Sequence, residues 1–135
     1  MGNPSERENT TRYATDKINH LLDNNDFTSA VLLTSIYVNM RLKTLITVRL
    51  NPPQQHWQDT SNAFNSLLGY KNLLSVCNML GLMKGCNFKQ LKDLWEKRCV
   101  VAHETELWKN ISPQEQQEIR ELCNSAIDFL KKTTG

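Results

Sequence analysis

Apolar residues recur at helical spacing along most of the chain, and no segment shows the alternation of a strand. Over residues 11–22 the stripe is Ala14, Ile18, Leu21 and Leu22, which predicts a first amphipathic helix. Asp23-Asn24-Asn25-Asp26 is a turn cluster, and Asp26 suits the N-cap of the next helix. That helix, residues 27–49, has apolar side chains pointing in nearly every direction, the mark of a helix central in a bundle. Asn51-Pro52-Pro53 stops it, because proline has no amide hydrogen and restricts the residue before it. A short helix within residues 54–69 puts Phe64, Leu67 and Leu68 on one side. The next, residues 70–83, carries Leu73, Leu74, Cys77, Leu80 and Gly81 in its stripe, with Gly81 and Gly85 framing its end. Residues 87–103 form a further helix. Ser112-Pro113-Gln114-Glu115 then combines an N-cap, a first-turn proline and a capping box. The helix it opens aligns Ile119, Leu122, Cys123, Ala126, Ile127 and Leu130, and Lys131-Lys132 suit its C-terminus.

Short connections between long amphipathic helices predict an all-α, up-and-down bundle of four to five long helices plus a short one. The 135 residues suffice for a single domain over residues 12–133, after a polar lead-in, residues 1–11, expected to be disordered. Composition agrees: 39% hydrophobic and 22% charged is that of a globular protein rather than a disordered one. A net charge of +2 excludes a general polyanion-binding tail but permits a local cationic site. The most apolar segment, residues 27–50, is interrupted by Asn39, Arg41, Lys43 and Arg49, so no membrane span is expected. The first residues lack the apolar core of a signal peptide, and the expected location is the cytoplasm. Cys77, Cys86, Cys99 and Cys123 form no C-x2-C pair and are expected to be free thiols.

Chemistry concentrates in the helix over residues 87–103. With Phe88 at 0°, Leu91, Trp95 and Ala102 fall between about 300° and 340°, and Arg98 falls near 280°, inside the apolar face. A guanidinium cannot shed its charge, so an arginine placed there needs a carboxylate, a subunit interface or an anion. Glu104, Glu106 or an acid on another helix would serve as a structural partner. His103 follows five residues later, which on a continuous helix turns the two side chains about 140° apart. They converge if the helix bends near Val100-Val101, or if two copies of the chain meet there. Otherwise His103 is a surface group favoured by the helix C-terminus.

Other chemistries find little support. Cys99 and His103, four apart, could share a face, but no paired motif supplies further ligands, so no metal is expected. Glycine-rich phosphate loops, G-x-S-x-G and H-E-x-x-H are absent. His56, beside Trp57, reads as a surface residue. Between Phe27 and Gln58 there is no acid, while Arg41, Lys43 and Arg49 are present. These long side chains either snorkel from a buried helix or attract phosphate.

Arg98-Cys99-Val100-Val101-Ala102-His103 resembles the R-x4-H motif of the HEPN superfamily. Leu73-Leu74, Leu80-Gly81-Leu82-Met83, Leu91 and Leu94 fit that family's helix, turn and helix leading into the motif. Asp26-Phe27, Ala30, Leu42-Lys43 and Leu45 resemble its long second helix. A similar arrangement is found in the mannitol operon repressor group. The resemblance implies a homodimer with facing motifs and, in active members, a metal-independent endoribonuclease needing no cofactor. Carried over, Arg98 binds and polarises the scissile phosphate and His103 transfers a proton, while Lys97, Cys99, Asn39 and Glu104 are the supporting or RNA-contacting positions. The chain departs from the family in two places: Cys99 follows the arginine where a polar residue is usual, and Asn39 stands where many members carry a glutamate. Two functions are therefore expected. One is a ribonuclease serving as a toxin or defence component, with RNA and a cognate antitoxin or nucleotidyltransferase as partners. The other is a non-catalytic dimeric regulator or adaptor.

Overall fold

The Asp26 carboxylate accepts a hydrogen bond from the Ser29 backbone N–H at 3.2 Å, capping a long helix just after a turn through Asn25, whose φ is 57°. At the far end of that helix Asn51 takes a left-handed conformation, and its N–H reaches back to the Thr47 and Val48 carbonyls. The computed structural model describes residues 4–103 and 111–134. Its helices are α1 (Pro4–Asp23), α2 (Phe27–Leu50), α3 (Trp57–Leu67) after a single 3-10 turn (Gln54–His56), α4 (Tyr70–Met79), α5 (Phe88–His103) and α6 (Pro113–Lys132). No strand occurs among the described residues, so the all-α helical bundle expected from periodicity is the fold. The side chains of Phe64 and Leu67 lie outside the described residues.

α2 occupies the centre and packs on α1, α3, α4, α5 and α6, as a helix apolar all round must. By length and composition α2 is long and apolar enough to cross a membrane. In the bundle Phe27, Ala30, Val31, Val38, Leu42 and Ile46 are buried against its neighbours.

Side-chain pairs set the directions. Thr34 meets Cys123 and Arg41 meets Leu130, so α2 and α6 run parallel. Thr11 also reaches Leu130, while Arg120 bonds the Leu22 carbonyl, so α1 runs antiparallel to α6. Gln90 meets Ser125 and Lys97 meets Glu118, making α5 antiparallel to α6. The bundle therefore has two distinct ends. One gathers the C-terminus of α5 with the N-termini of α2, α4 and α6. The other gathers the start of α1 with the ends of α2 and α6.

Two expectations change. Residues 4–11, read as a disordered lead-in, form the first two turns of α1. Their polarity hides the reason: Arg7 and Thr11 are buried, and Arg7 Nε donates to the Thr134 carbonyl at 2.9 Å. The fourth helix ends at Met79 rather than residue 83. Gly81, Lys84 and Gly85 all have positive φ and turn the chain sharply into α5.

Candidate functional site

Arg98 is positioned by a three-membered stack. Tyr70, the first residue of α4, is buried, and its hydroxyl donates to the Leu91 carbonyl at 2.9 Å. Burial raises its phenol well above the ordinary range, so the hydroxyl stays a donor. Its ring lies on the Trp95 indole with centroids 4.6 Å apart and planes 6° from parallel. The Arg98 guanidinium sits over the same indole, 4.6 Å from its centroid. Burial decreases outward: Tyr70 is buried, while Trp95 and Arg98 are half-buried. Lys71 and Glu96, 3.5 Å apart, fasten α4 to α5 beside this stack.

The angular reading of Arg98 and its expected environment part company here. Leu91, Leu94 and Val101 are fully buried, and 280° does lie on that inner face. Yet α4 begins at Tyr70, level with Trp95, so the bundle thins where Arg98 emerges. Among the described residues Arg98 makes no hydrogen bond and no ion pair, only the contact with Trp95. Its in-plane donors remain unspent, and of the three expected environments, a carboxylate partner is not found among those residues. The apolar face is also displaced from expectation: Ala102 is exposed and Val100 is 40% exposed, while Leu94 and Val101 join the core.

The other expected site residues divide into two groups. Cys99 is half-buried next to Arg98 on α5. Lys97 turns toward α6 and pairs with Glu118 at 3.3 Å, so its charge is already engaged. His103 closes α5; its side chain, like all of Glu104 and Glu106, lies outside the described residues. Asn39 is far along the bundle. The α2–α6 and α5–α6 pairs place it level with the first turn of α5, roughly 15 Å from Arg98 along the axis at about 1.5 Å per residue. Its Oδ1 is buried without a hydrogen-bond partner.

All four cysteines are free thiols. Cys77 Sγ lies 3.6 Å from the Leu42 carbonyl and Cys123 Sγ 3.6 Å from Thr34 Oγ1, on different sides of α2. Burial pushes Cys77 up to about 12 and Cys123 to about 11, keeping both protonated and inert at neutral pH. Among the described residues no three His, Cys, Asp or Glu side chains gather as a metal ion would require.

The arginine buried in the core is a different one. Arg41, expected either to snorkel to the surface or to attract phosphate, is 4% exposed. Its Nη1 donates to the Leu130 carbonyl at 2.6 Å and to Thr133 Oγ1 at 2.9 Å. Its Nη2 donates to Thr11 Oγ1 at 2.7 Å and to the Arg7 carbonyl at 3.3 Å. The two threonine hydroxyls pass their own protons to the Phe129 and Arg7 carbonyls. Desolvation, then the nearby Arg7 charge, lower its pKa to about 10, which leaves it cationic at neutral pH. A cleft of about 380 Å³ opens beside it, lined in part by Arg7, Thr11, Tyr37, Met40 and Thr44. Both terminal nitrogens are committed to the protein, so Arg41 ties α1, α2 and α6 together rather than offering a fork to a ligand.

No protein-family model matches the chain, and neither a curated protein nor a solved structure matches it.

Proposed function

We propose that this chain is a HEPN-like, metal-independent endoribonuclease. The observation that supports this most is Arg98: a cation over the face of Trp95, 4.6 Å from the ring centroid, with no hydrogen bond or ion pair among the described residues. A planar fork of that kind suits two oxygens of a phosphodiester. His103, on the last turn of the same helix, takes the proton from the ribose 2′-hydroxyl or returns one to the leaving oxygen. The 2′-oxygen attacks phosphorus, the bond to the 5′-oxygen breaks, and the products are a 2′,3′-cyclic phosphate and a 5′-hydroxyl. In a homodimer with the α5 ends near the two-fold axis, two His103 side chains divide the acid and base roles. Exposed Ala102, one turn beyond Arg98 on the same side of α5, suits such a contact. A toxin or defence role in the cytoplasm, with a cognate antitoxin or nucleotidyltransferase, fits this chemistry.

A second reading, a non-catalytic dimeric regulator or adaptor, is favoured by Asn39. It supplies no acid and lies along the bundle from Arg98.

The experiment is digestion of bulk RNA in EDTA. The native protein is expected to leave cyclic-phosphate ends, and His103→Ala is expected to abolish cleavage at a stability cost of about 1 kcal/mol or less. Arg98→Lys should not restore activity, since an ammonium cannot reproduce a bidentate grip. Equal degradation by native protein and His103→Ala, or none by either, leaves the regulator reading.

A further inference from the structure

A phosphate-binding arginine faces a conflict between orientation and availability. A free guanidinium on its flexible stem must be ordered when a ligand binds, and that ordering costs affinity. A carboxylate partner orders it in advance, but cancels its charge and occupies two of its in-plane donors. An aromatic face avoids both costs. The ring quadrupole attracts the flat cation from above, and every N–H still points outward in the plane.

Arg98 has the second kind of support. Its guanidinium lies over the Trp95 indole at 4.6 Å, and it has no hydrogen bond or ion pair among the described residues. The indole is itself fixed. Tyr70 stacks on it nearly parallel, and Tyr70 is anchored by its buried hydroxyl on the Leu91 carbonyl. Because Leu91 and Trp95 belong to α5, the Tyr70 ring is locked to the helix that carries Arg98. Asn39, the position from which an acid would be expected to steer the arginine, lies too far along the bundle to reach it.

We propose that Trp95, backed by Tyr70, is a positioning residue that holds the Arg98 guanidinium in one plane and presents its open N–H edge to a phosphodiester. This rests on the reading in which Arg98 grips the backbone of RNA. Trp95 touches no reacting atom; it acts through Arg98, in the place of an acidic side chain.

The probe is a short single-stranded deoxyoligonucleotide, which carries phosphodiesters but no 2′-hydroxyl and so binds without being cut. Two readouts are taken on the full chain. The first is the Arg98 Nε–H resonance, assigned by its loss in Arg98→Lys. It is expected upfield in the native protein, under the indole ring current, and to move when probe is added. In Trp95→Leu it should return to the position of a free arginine, and in Trp95→Phe it should stay partly shifted. The second is probe affinity, expected to fall roughly fivefold in Trp95→Leu and to change by less than about twofold in Trp95→Phe. On cleavable RNA, Trp95→Leu should lower kcat by about tenfold, more than it raises KM, because a misdirected fork misses the transition state.

An unshifted Arg98 resonance in the native protein overturns the proposal. So does unchanged probe affinity in a natively folded Trp95→Leu, or failure of the native protein to bind the probe. If Trp95→Leu does not fold, the native resonance and Trp95→Phe decide the matter by the same criteria. If the native protein binds the probe through a Trp95-dependent Arg98 yet cuts no RNA, the endoribonuclease reading fails while the positioning role stands.

Discussion

Two arginines at opposite ends of this bundle solve the same problem in opposite ways. Arg41 is buried and spends both terminal nitrogens on two carbonyls and two threonine hydroxyls. Arg98 is half-buried and, among the described residues, makes only the contact with the Trp95 ring. Neither faces a carboxylate among the described residues. In the first case neutral oxygens solvate the cation as water would, and the charge serves to join three helices. In the second the charge is oriented but left unsatisfied, which is the state a ligand-binding cation must have. Burial alone therefore does not distinguish a functional arginine from a structural one; the disposition of its donors does.

The largest test of this contrast is stability. Arg41→Ala strips donors from the Leu130 and Arg7 carbonyls and from the Thr11 and Thr133 hydroxyls. It is expected to cost about 3 kcal/mol or more in urea denaturation. Arg98→Ala should cost about 1 kcal/mol or less, losing one cation–π contact at a partly exposed site. Equal costs for the two substitutions would break the comparison.

The cysteines sharpen it on a smaller scale. Cys77 and Cys123 are buried with thiols raised from about 9 to about 12 and about 11. An acid whose folded pKa is raised favours the native state below its unfolded pKa, and that contribution is lost as pH rises through the folded value. Thermal stability should accordingly decline between about pH 9 and pH 12, and less steeply in Cys123→Ala. At pH 8 a thiol reagent should modify half-buried Cys86 and Cys99 well before the other two. Prompt reaction of all four would show that the interior around α2 opens freely.

The smallest effect is expected at Lys97. Removing its pair with Glu118 in Lys97→Ala should change stability by under about 0.5 kcal/mol. A loss as large as that of Arg41→Ala would mean that the Arg98 end is also held by charge.

Local chemistry told most about helix beginnings. Ser112 Oγ accepts from the Glu115 N–H, and Asp26 caps α2, as their side-chain types require. Apolar periodicity placed Ile119, Leu122, Cys123, Ala126, Ile127 and Leu130 in the core, where they lie. The first turns of α1 escaped the same reasoning because polar side chains hold them, through contacts more than a hundred residues distant. Arg41 escaped for another reason. On a helix apolar in every direction, angle does not separate inside from outside, and backbone carbonyls leave no acidic signature. For Arg98 the angle was informative and the start of α4 at Tyr70 was legible, but the stacking of Tyr70 on Trp95, which determines how much of its face is covered, was not.

The parallel pairing of α2 with α6 carries a kinetic consequence. Thr34 and Cys123 are separated by 89 residues, and so are Arg41 and Leu130. By contrast α4 and α5 meet through the short reversal at Gly81–Gly85. Loop-closure entropy favours the short-range hairpin first and makes docking of α6 a late step. Until then Arg41 stays in water, paired with nothing that α6 provides. The arginine joint would then act as a latch on the finished molecule rather than as a seed for its assembly. In a chevron analysis Arg41→Ala should raise the unfolding rate while leaving the refolding arm almost where it was.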